Sequence, residues 1–247
     1  MRDLLRQVDL SSLLRGAEEH GRSVFDGFFG PDHYRFSVAF TEVRRDSLHP
    51  ENYTVRGKCR YRQNIRPFTG IISAKQITDL EVQSNLSGLF EDSSVEESPG
   101  NTDSDSLAAR YEREVKQVRT YSLRARFTAS EAKTENSGLF DGEAILNFFV
   151  TPDHVTGYAV EPMLNKKLPA RGDRFLLRGS RLNLTTGQIK SFVVATNVFS
   201  AAPDVYKDFG IGDRGGEINP KYAKLGWSED WENEEWWADS PKPSLNL

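Results

Sequence analysis

The sequence predicts an all-β fold: an antiparallel β-barrel of about eight strands, with a β-sandwich as the second choice. Three observations carry this reading. From residue 32 the hydrophobic pattern has a period of two, as half-buried strands require. About eight such segments follow one another to residue 200 with short connections and few helical signals. Glycines fall inside the strand patterns at Gly57, Gly70, Gly142 and Gly179, which suits the bends and coiling of a closed barrel. A sandwich with bulges at those positions is the competing arrangement.

Residues 1–31 read as a helical segment. Asp9 or Ser11 can cap a helix through Leu13, Leu14 and Ala17 and as far as Val24. Gly16 and Gly21 weaken it, and Gly27 and Gly30-Pro31 stop it. The barrel region, 32–200, opens with His33–Val43, where Tyr34, Phe36, Val38 and Phe40 share a face. Asn52–Arg62 alternates more sharply, with Tyr53, Val55, Gly57, Cys59 and Tyr61 opposite Thr54, Arg56, Lys58, Arg60 and Arg62. Pro67–Leu80 places Phe68, Gly70, Ile72 and Ala74 in register. Val115–Phe127 points Tyr121, Leu123, Ala125 and Phe127 inward. Gly138–Val150, a short Asp153–Val160, Arg174–Leu184 and Gln188–Phe199 complete the set. Thr185-Thr186-Gly187 makes a compact hairpin turn between the last two.

Two segments break the pattern. Residues 84–106 hold six acids and no base among many Ser, Asn, Gly and Pro, and read as a disordered acidic loop within the one domain. Residues 201–247 lose strand periodicity and read as an irregular or helical C-terminal extension ending in an acidic, Trp-rich tail. The tetrapeptide Ser87–Phe90 recurs at Ser137–Phe140, which is too little for a repeat.

The 247 residues carry 32 Lys plus Arg and 36 Asp plus Glu, a formal charge of −4. The acids are segregated. Six lie in 84–106 and six in 226–239, and neither window holds a base. The rest of the chain has 32 bases against 24 acids, so a body of about +8 carries two acidic appendages. Arg outnumbers Lys 21 to 11, which favours forked contacts to carboxylate or phosphate.

The sharpest basic feature is the row Arg56, Lys58, Arg60 and Arg62, extended by Arg66. Side chains two apart on a strand lie about 7 Å from one another on one face. Such a row can follow a polyanionic protein segment or a nucleic-acid backbone. Its simplest form is a solvated face paired with acids on neighbouring strands. Tyr53 and Tyr61 fall on the opposite face, so no stacking platform for single-stranded nucleic acid accompanies it. Arg171, Arg174, Arg178 and Arg181 form a second cluster of mixed spacing.

All four tryptophans, Trp227, Trp231, Trp236 and Trp237, lie within eleven residues of the acidic tail. Each ring buries on the order of 200 Å² when packed. Three arrangements accommodate them. The tail folds back and closes one end of the barrel, docks into a groove on a partner, or covers the body's own basic row and gates access to it.

Catalytic signals are weak. Gly210–Gly215 matches G-x-G-x-x-G but lacks the strand before and the helix after that the dinucleotide reading needs. Asp141 and Glu143 share a strand face at a spacing that glycoside hydrolases use, without visible aromatic walls. Cys59 reads as a small buried residue. His33 and His49 flank the first strand and could meet it only in space, and His154 reads as an exposed turn residue. No catalytic residue, metal ligand or cofactor is expected. The charged N-terminus excludes a signal peptide, and no run reaches the roughly 18 apolar residues of a membrane span, so the expectation is a cytoplasmic protein with no membrane partner. Three glycosylation triplets, at Asn52, Asn85 and Asn183, then read as chance.

The sequence reading is therefore a non-enzymatic protein-interaction module. Its expected binding residues are Arg56, Lys58, Arg60, Arg62, Arg66, Trp227, Trp231, Trp236 and Trp237, and its expected partner is another protein or a second copy. The alternative is a β-barrel binding an anionic small ligand or nucleic acid, and a third reading is an oligomeric structural subunit.

Overall fold

Antiparallel pairing runs unbroken around a single sheet. The structure, a computed structural model, describes residues 1–16, 24–80, 118–159, 174–211, 217–228 and 235–239. The expectations for the acidic loop 84–106, the Asn85 triplet, the first Ser-Gly-Leu-Phe copy, Arg171 and Trp231 lie outside these residues, as does most of the glycine-rich run after Ile211. The strands are β1 (Val24–Phe29), β2 (Tyr34–Arg45), β3 (Asn52–Tyr61), β4 (Asn64–Leu80), β5 (Arg119–Glu131), β6 (Gly138–Val150), β7 (Thr156–Tyr158), β8 (Phe175–Asn183) and β9 (Ile189–Ala195). Each of β1 to β6 pairs with the next, β6 pairs with β8, β8 with β9, and β9 returns to β1. Eight strands thus form a closed ring, and short β7 lies beside the last residues of β6.

Alternation fills the ring. Tyr53, Val55 and Cys59 of β3, Phe68 and Ile72 of β4, Leu123 and Phe127 of β5, and Phe140, Leu146 and Phe148 of β6 are all buried in one cluster. An eight-stranded ring has an interior just wide enough for side chains. Here phenylalanines occupy much of it: Phe40 meets Phe68 at 5.8 Å and Phe127 at 6.3 Å, and Phe36 meets Phe192 at 5.8 Å between centroids. Bulges at Thr41 and Lys75 shift the inward parity, so Val43 and Ile77 point in where the earlier residues of their strands count the other way.

The N-terminal segment closes one end of the ring. Helices α1 (Arg2–Gln7) and α2 (Ser11–Arg15) and the turn between them bury Leu5, Val8, Leu10, Leu13 and Leu14 in the main cluster. Asp9 Oδ1 accepts from the Ser11 amide at 2.9 Å. Arg45 Nη1 donates to the Leu5 and Val8 carbonyls, each at 2.7 Å, and serves groups that a helix C-terminus leaves open. Tyr158 Oη donates to the Leu13 carbonyl.

The helix expected to run as far as Val24 does not. Val24–Phe29 is a strand, and the β region therefore begins ahead of residue 32. Its β-branched and aromatic residues suit a strand. Gly27, expected to stop a helix, is a point of close approach: a Cβ there would lie 1.8 Å from the Val193 carbonyl oxygen.

The C-terminal extension packs on the outer wall. It comprises α3 (Val198–Ala201), α4 (Pro203–Phe209), the two-residue strands β10 (Gly210–Ile211) and β11 (Glu217–Ile218), α5 (Pro220–Tyr222) and a π-helical turn, Ala223–Trp227. Val198, Val205, Tyr222 and Trp227 bury against Phe28, Ile145, Leu176 and Ala195 of β1, β6, β8 and β9. Trp227 therefore covers the side of the ring and does not close its end.

Gly142 of β6 and Gly179 of β8 face each other across the ladder. A Cβ on Gly179 would lie 2.3 Å from the Asp141 carbonyl oxygen and 2.5 Å from the Gly142 Cα. Gly179→Ala is therefore expected to cost about 1–3 kcal/mol in urea unfolding, with a lowered midpoint and an unchanged slope. Unaltered stability would mean that β6 and β8 do not approach this closely.

Candidate functional site

Strand parity sorts the predicted row. Arg56, Lys58 and Arg60 project from the outer face of β3, because their neighbours Val55, Gly57 and Cys59 point into the ring. Arg62 sits in the β3–β4 turn at a φ of 54°, its guanidinium 4.4 Å from the Tyr34 ring centroid and 5.4 Å from that of Tyr61. Arg66 does not extend the row. The chain reverses between them, Arg66 pairs with Cys59 in register, and it shares that residue's inward parity.

The tail lies on this outer face. Asp239 Oδ1 accepts from Lys58 Nζ at 2.7 Å. The Arg60 guanidinium lies 5.2 Å from the Trp236 ring, which is 8% exposed, and Trp237 is half-buried. Trp227 is more deeply held, with its Nε1 donating to the His33 carbonyl at 3.2 Å and its ring 5.1 Å from Phe28 and 5.3 Å from Phe209. Arg56 turns the other way, to Glu42 at 3.6 Å. Of the predicted binding residues, the structure thus gathers Lys58, Arg60 and Trp236 at one place, with Arg62 and Trp227 at its border.

Beside that contact runs a groove of about 550 Å³ between the β3–β4 turn and the π-helical turn. Among the described residues its charged lining is Arg35, Arg60, Arg62 and Lys224. Arg35 is anchored by a forked pair to Asp26, at 3.1 and 3.3 Å. Ser228, the last described residue before the acidic run 229–235, also lines the groove.

The second arginine cluster is dispersed. Arg174 lies 5.9 Å from the Tyr158 ring, and Arg178 pairs outside the ring with Glu143 at 3.0 Å. Arg181 points inside. Arg124 joins Glu143 at 2.6 Å and Arg126 joins Asp141 at 3.2 Å, so the two carboxylates with glycosidase-like spacing stand in a ladder of ion pairs.

Inside the ring, Glu131 accepts a fork from Arg181, with Nε at 2.8 Å and Nη2 at 2.6 Å, while Arg66 Nη1 lies 3.8 Å away. The Glu131 side chain is only 2% exposed. Glu131 is the residue that sequence reading missed. The signal was present, because Tyr121, Leu123, Ala125, Phe127 and Ala129 put it on the inward face, but the expected strand stopped at Phe127. Cys59 Sγ donates toward Glu131 at 3.7 Å. Burial pushes its thiol pKa well up, and the Glu131 charge adds to the shift. His33 meets Phe28 edge to face and His49 lies near Glu51 at the plugged end, so neither meets Cys59.

Among the described residues no three His, Cys, Asp or Glu side chains gather as a metal site, and no helix is long and apolar enough to cross a membrane. Comparison with protein-family models, with curated proteins and with solved structures finds no match to this chain.

Two measurements check this geometry. The Lys58 ammonium holds the Asp239 carboxyl below its ordinary pKa. A depressed carboxyl strengthens the contact above the usual range near 3.9 and loses it as pH falls through the depressed value. Carboxyl-carbon NMR should therefore find Asp239 titrating low, and Lys58→Met should return it to the ordinary range. An ordinary midpoint in both proteins would mean that the tail is not held there. Cys59 should resist a thiol-reactive dye at pH 8 and react once the chain is unfolded in urea.

Proposed function

We propose that this chain is a non-enzymatic protein-interaction module that recognises acidic, tryptophan-bearing peptide segments on the outer face of β2 and β3. We read the eight-strand ring as a closed β-barrel, a rigid scaffold for that face. The observation that carries the proposal is the tail's own contact, Asp239 on Lys58 and Trp236 under Arg60. The tail then acts as the resident occupant that a partner's segment displaces. Recognition of acidic motifs by clustered Arg and Lys is a recurrent mode, and a Trp anchor supplies apolar area that a charge row alone lacks.

The neighbouring groove supports the same reading. The four cations that line it among the described residues suit an acidic strand of peptide, and the tail sequence leading from Ser228 to Trp236 carries Glu229, Asp230, Glu232, Glu234 and Glu235. An exchanged tail would place the same residues on a second copy, so the sites for partner binding and for self-association coincide.

The test uses the full chain carrying Trp236→Ala and Asp239→Ala, which weakens the resident tail, and a labelled peptide of residues 229–247. Fluorescence anisotropy should show saturable binding that weakens with added salt. The unsubstituted chain should bind the peptide at least about tenfold more weakly, because its tethered tail competes at high effective concentration. Adding Lys58→Met and Arg60→Met should abolish binding without lowering thermal stability. No binding by a folded tail variant, or binding that ignores the Lys58 and Arg60 changes, would overturn the proposal.

A further inference from the structure

The end of the ring opposite the α1–α2 plug is not covered by a helix among the described residues. There the C-termini of β1, β3, β5 and β8 meet the N-termini of β2, β4, β6 and β9. They surround a cavity of about 290 Å³, close to the lower bound of roughly 300 Å³ for small-ligand sites. Phe29, Phe36 and Cys59 give it an apolar wall, and its charged lining is Arg66, Arg181, Lys190 and Glu131.

Among the described residues three cations face one carboxylate. Arg181 uses Nε and Nη2 on Glu131, and Nη2 also on the Asn136 carbonyl at 2.7 Å, which leaves Nη1 without a partner among the described residues. Arg66 uses Nη1 on Thr134 Oγ1 and the Glu135 carbonyl, both at 3.1 Å, which leaves its Nε and Nη2 without a partner among the described residues. Lys190 Nζ has, among the described residues, the Phe29 ring face at 5.8 Å. A surplus of two positive charges among these residues at a partly enclosed cavity with one apolar wall is costly unless water or an anion answers it. The donors are also held in place. The Glu131 fork fixes Arg181, whose side chain is 13% exposed, and Thr134 with Glu135 fixes Arg66. Donors fixed in advance lose little freedom when a ligand arrives.

From this geometry we infer that the open end of the ring binds a small organic anion. Its carboxylate or phosphate monoester head is held by Arg66, Arg181 and Lys190, and its apolar body lies against Phe29 and Phe36. Guanidinium forks match both head groups. The site is separate from the outer face that holds the tail and does not depend on it. Glu131 acts as a positioning residue, because it orients Arg181 and leaves the ligand to the remaining donors.

Titration calorimetry on the full chain with benzoate, phenyl phosphate and uncharged benzyl alcohol tests this. At least one anion should bind, and the one that does identifies the head group. Benzyl alcohol should bind at least about tenfold more weakly, having lost the charge-assisted contacts. Lys190→Met keeps the stem over Phe29 and removes the charge, and Arg66→Met does the same at the inner rim. Each should weaken the anion about tenfold with an unchanged melting temperature. Lys58→Met, on the outer face, should leave it unaltered. Failure of both anions to bind, equal binding of benzyl alcohol, or affinity indifferent to both Lys190→Met and Arg66→Met would overturn the inference.

Discussion

Closure of the ring is the constraint on which the remaining features depend. Eight antiparallel strands joined head to tail leave no unpaired edge within the ring, which removes the usual site of strand addition. Closure also fixes parity. Each inward position must fit a narrow interior, and phenylalanines and small residues share it, with Gly142 and Gly179 meeting where β6 and β8 come close. What closure cannot supply is a cover for its two ends or for the apolar parts of its outer wall. Those three surfaces are where the non-strand residues act. Helices α1 and α2 occupy one end with five apolar side chains, and the extension from Val198 to Trp227 covers the wall around Phe28, Ile145 and Leu176. The other end keeps its charges.

That charged end contains a tightly specified polar contact. A carboxylate that is 2% exposed lies in a two-point fork with Arg181, beside a buried thiol. A buried ion pair offsets its desolvation only when geometry is good and remaining donors are served, so it is poor evidence for stability as such. Replacement of both groups by apolar ones would fit the phenylalanine interior directly above them. Their presence is better accounted for by what the pair does to Arg181: it fixes a guanidinium at the rim of a cavity.

Much of this was legible in the sequence, and the exceptions have physical causes. β6 keeps the bounds Gly138–Val150 that its alternation predicts, and β3 begins at Asn52 as expected, because β3 and the first half of β6 set buried positions against exposed or half-buried ones. β1 has no such contrast. Phe25 and Phe29 face the interior while Phe28 is covered from outside by Trp227, so apolar residues fall on both faces and the period of two is blurred. Arg66 was misplaced because counting by twos was carried across a hairpin turn, where the chain reverses and the residue inherits the parity of its partner Cys59. The bulges at Thr41 and Lys75 similarly reset parity without a compositional mark. The contact between Lys58 and Asp239 spans 181 residues, and only the charge segregation hinted at it.

Charge segregation along the chain becomes a local arrangement in space. The outer arginines Arg124 and Arg126 of β5 and Arg178 of β8 have acids on β6: Arg124 and Arg178 share Glu143, and Arg126 has Asp141. On β3, Arg56 has an acid on an adjacent strand, Glu42. Lys58 and Arg60 lie opposite Ala39 and Ser37 on β2 and opposite Pro67 and Ile65 on β4, none of which carries charge. Asp239 and Trp236 of the tail reach them from outside the sheet. An exposed Lys–Asp pair is weak and screened by salt. A contact of that strength holds the tail when no stronger acidic segment is present and yields when one is, whereas a buried lock such as Glu131 with Arg181 does not exchange. The two arrangements place an exchangeable contact on the outer wall and a fixed one at the rim of the interior.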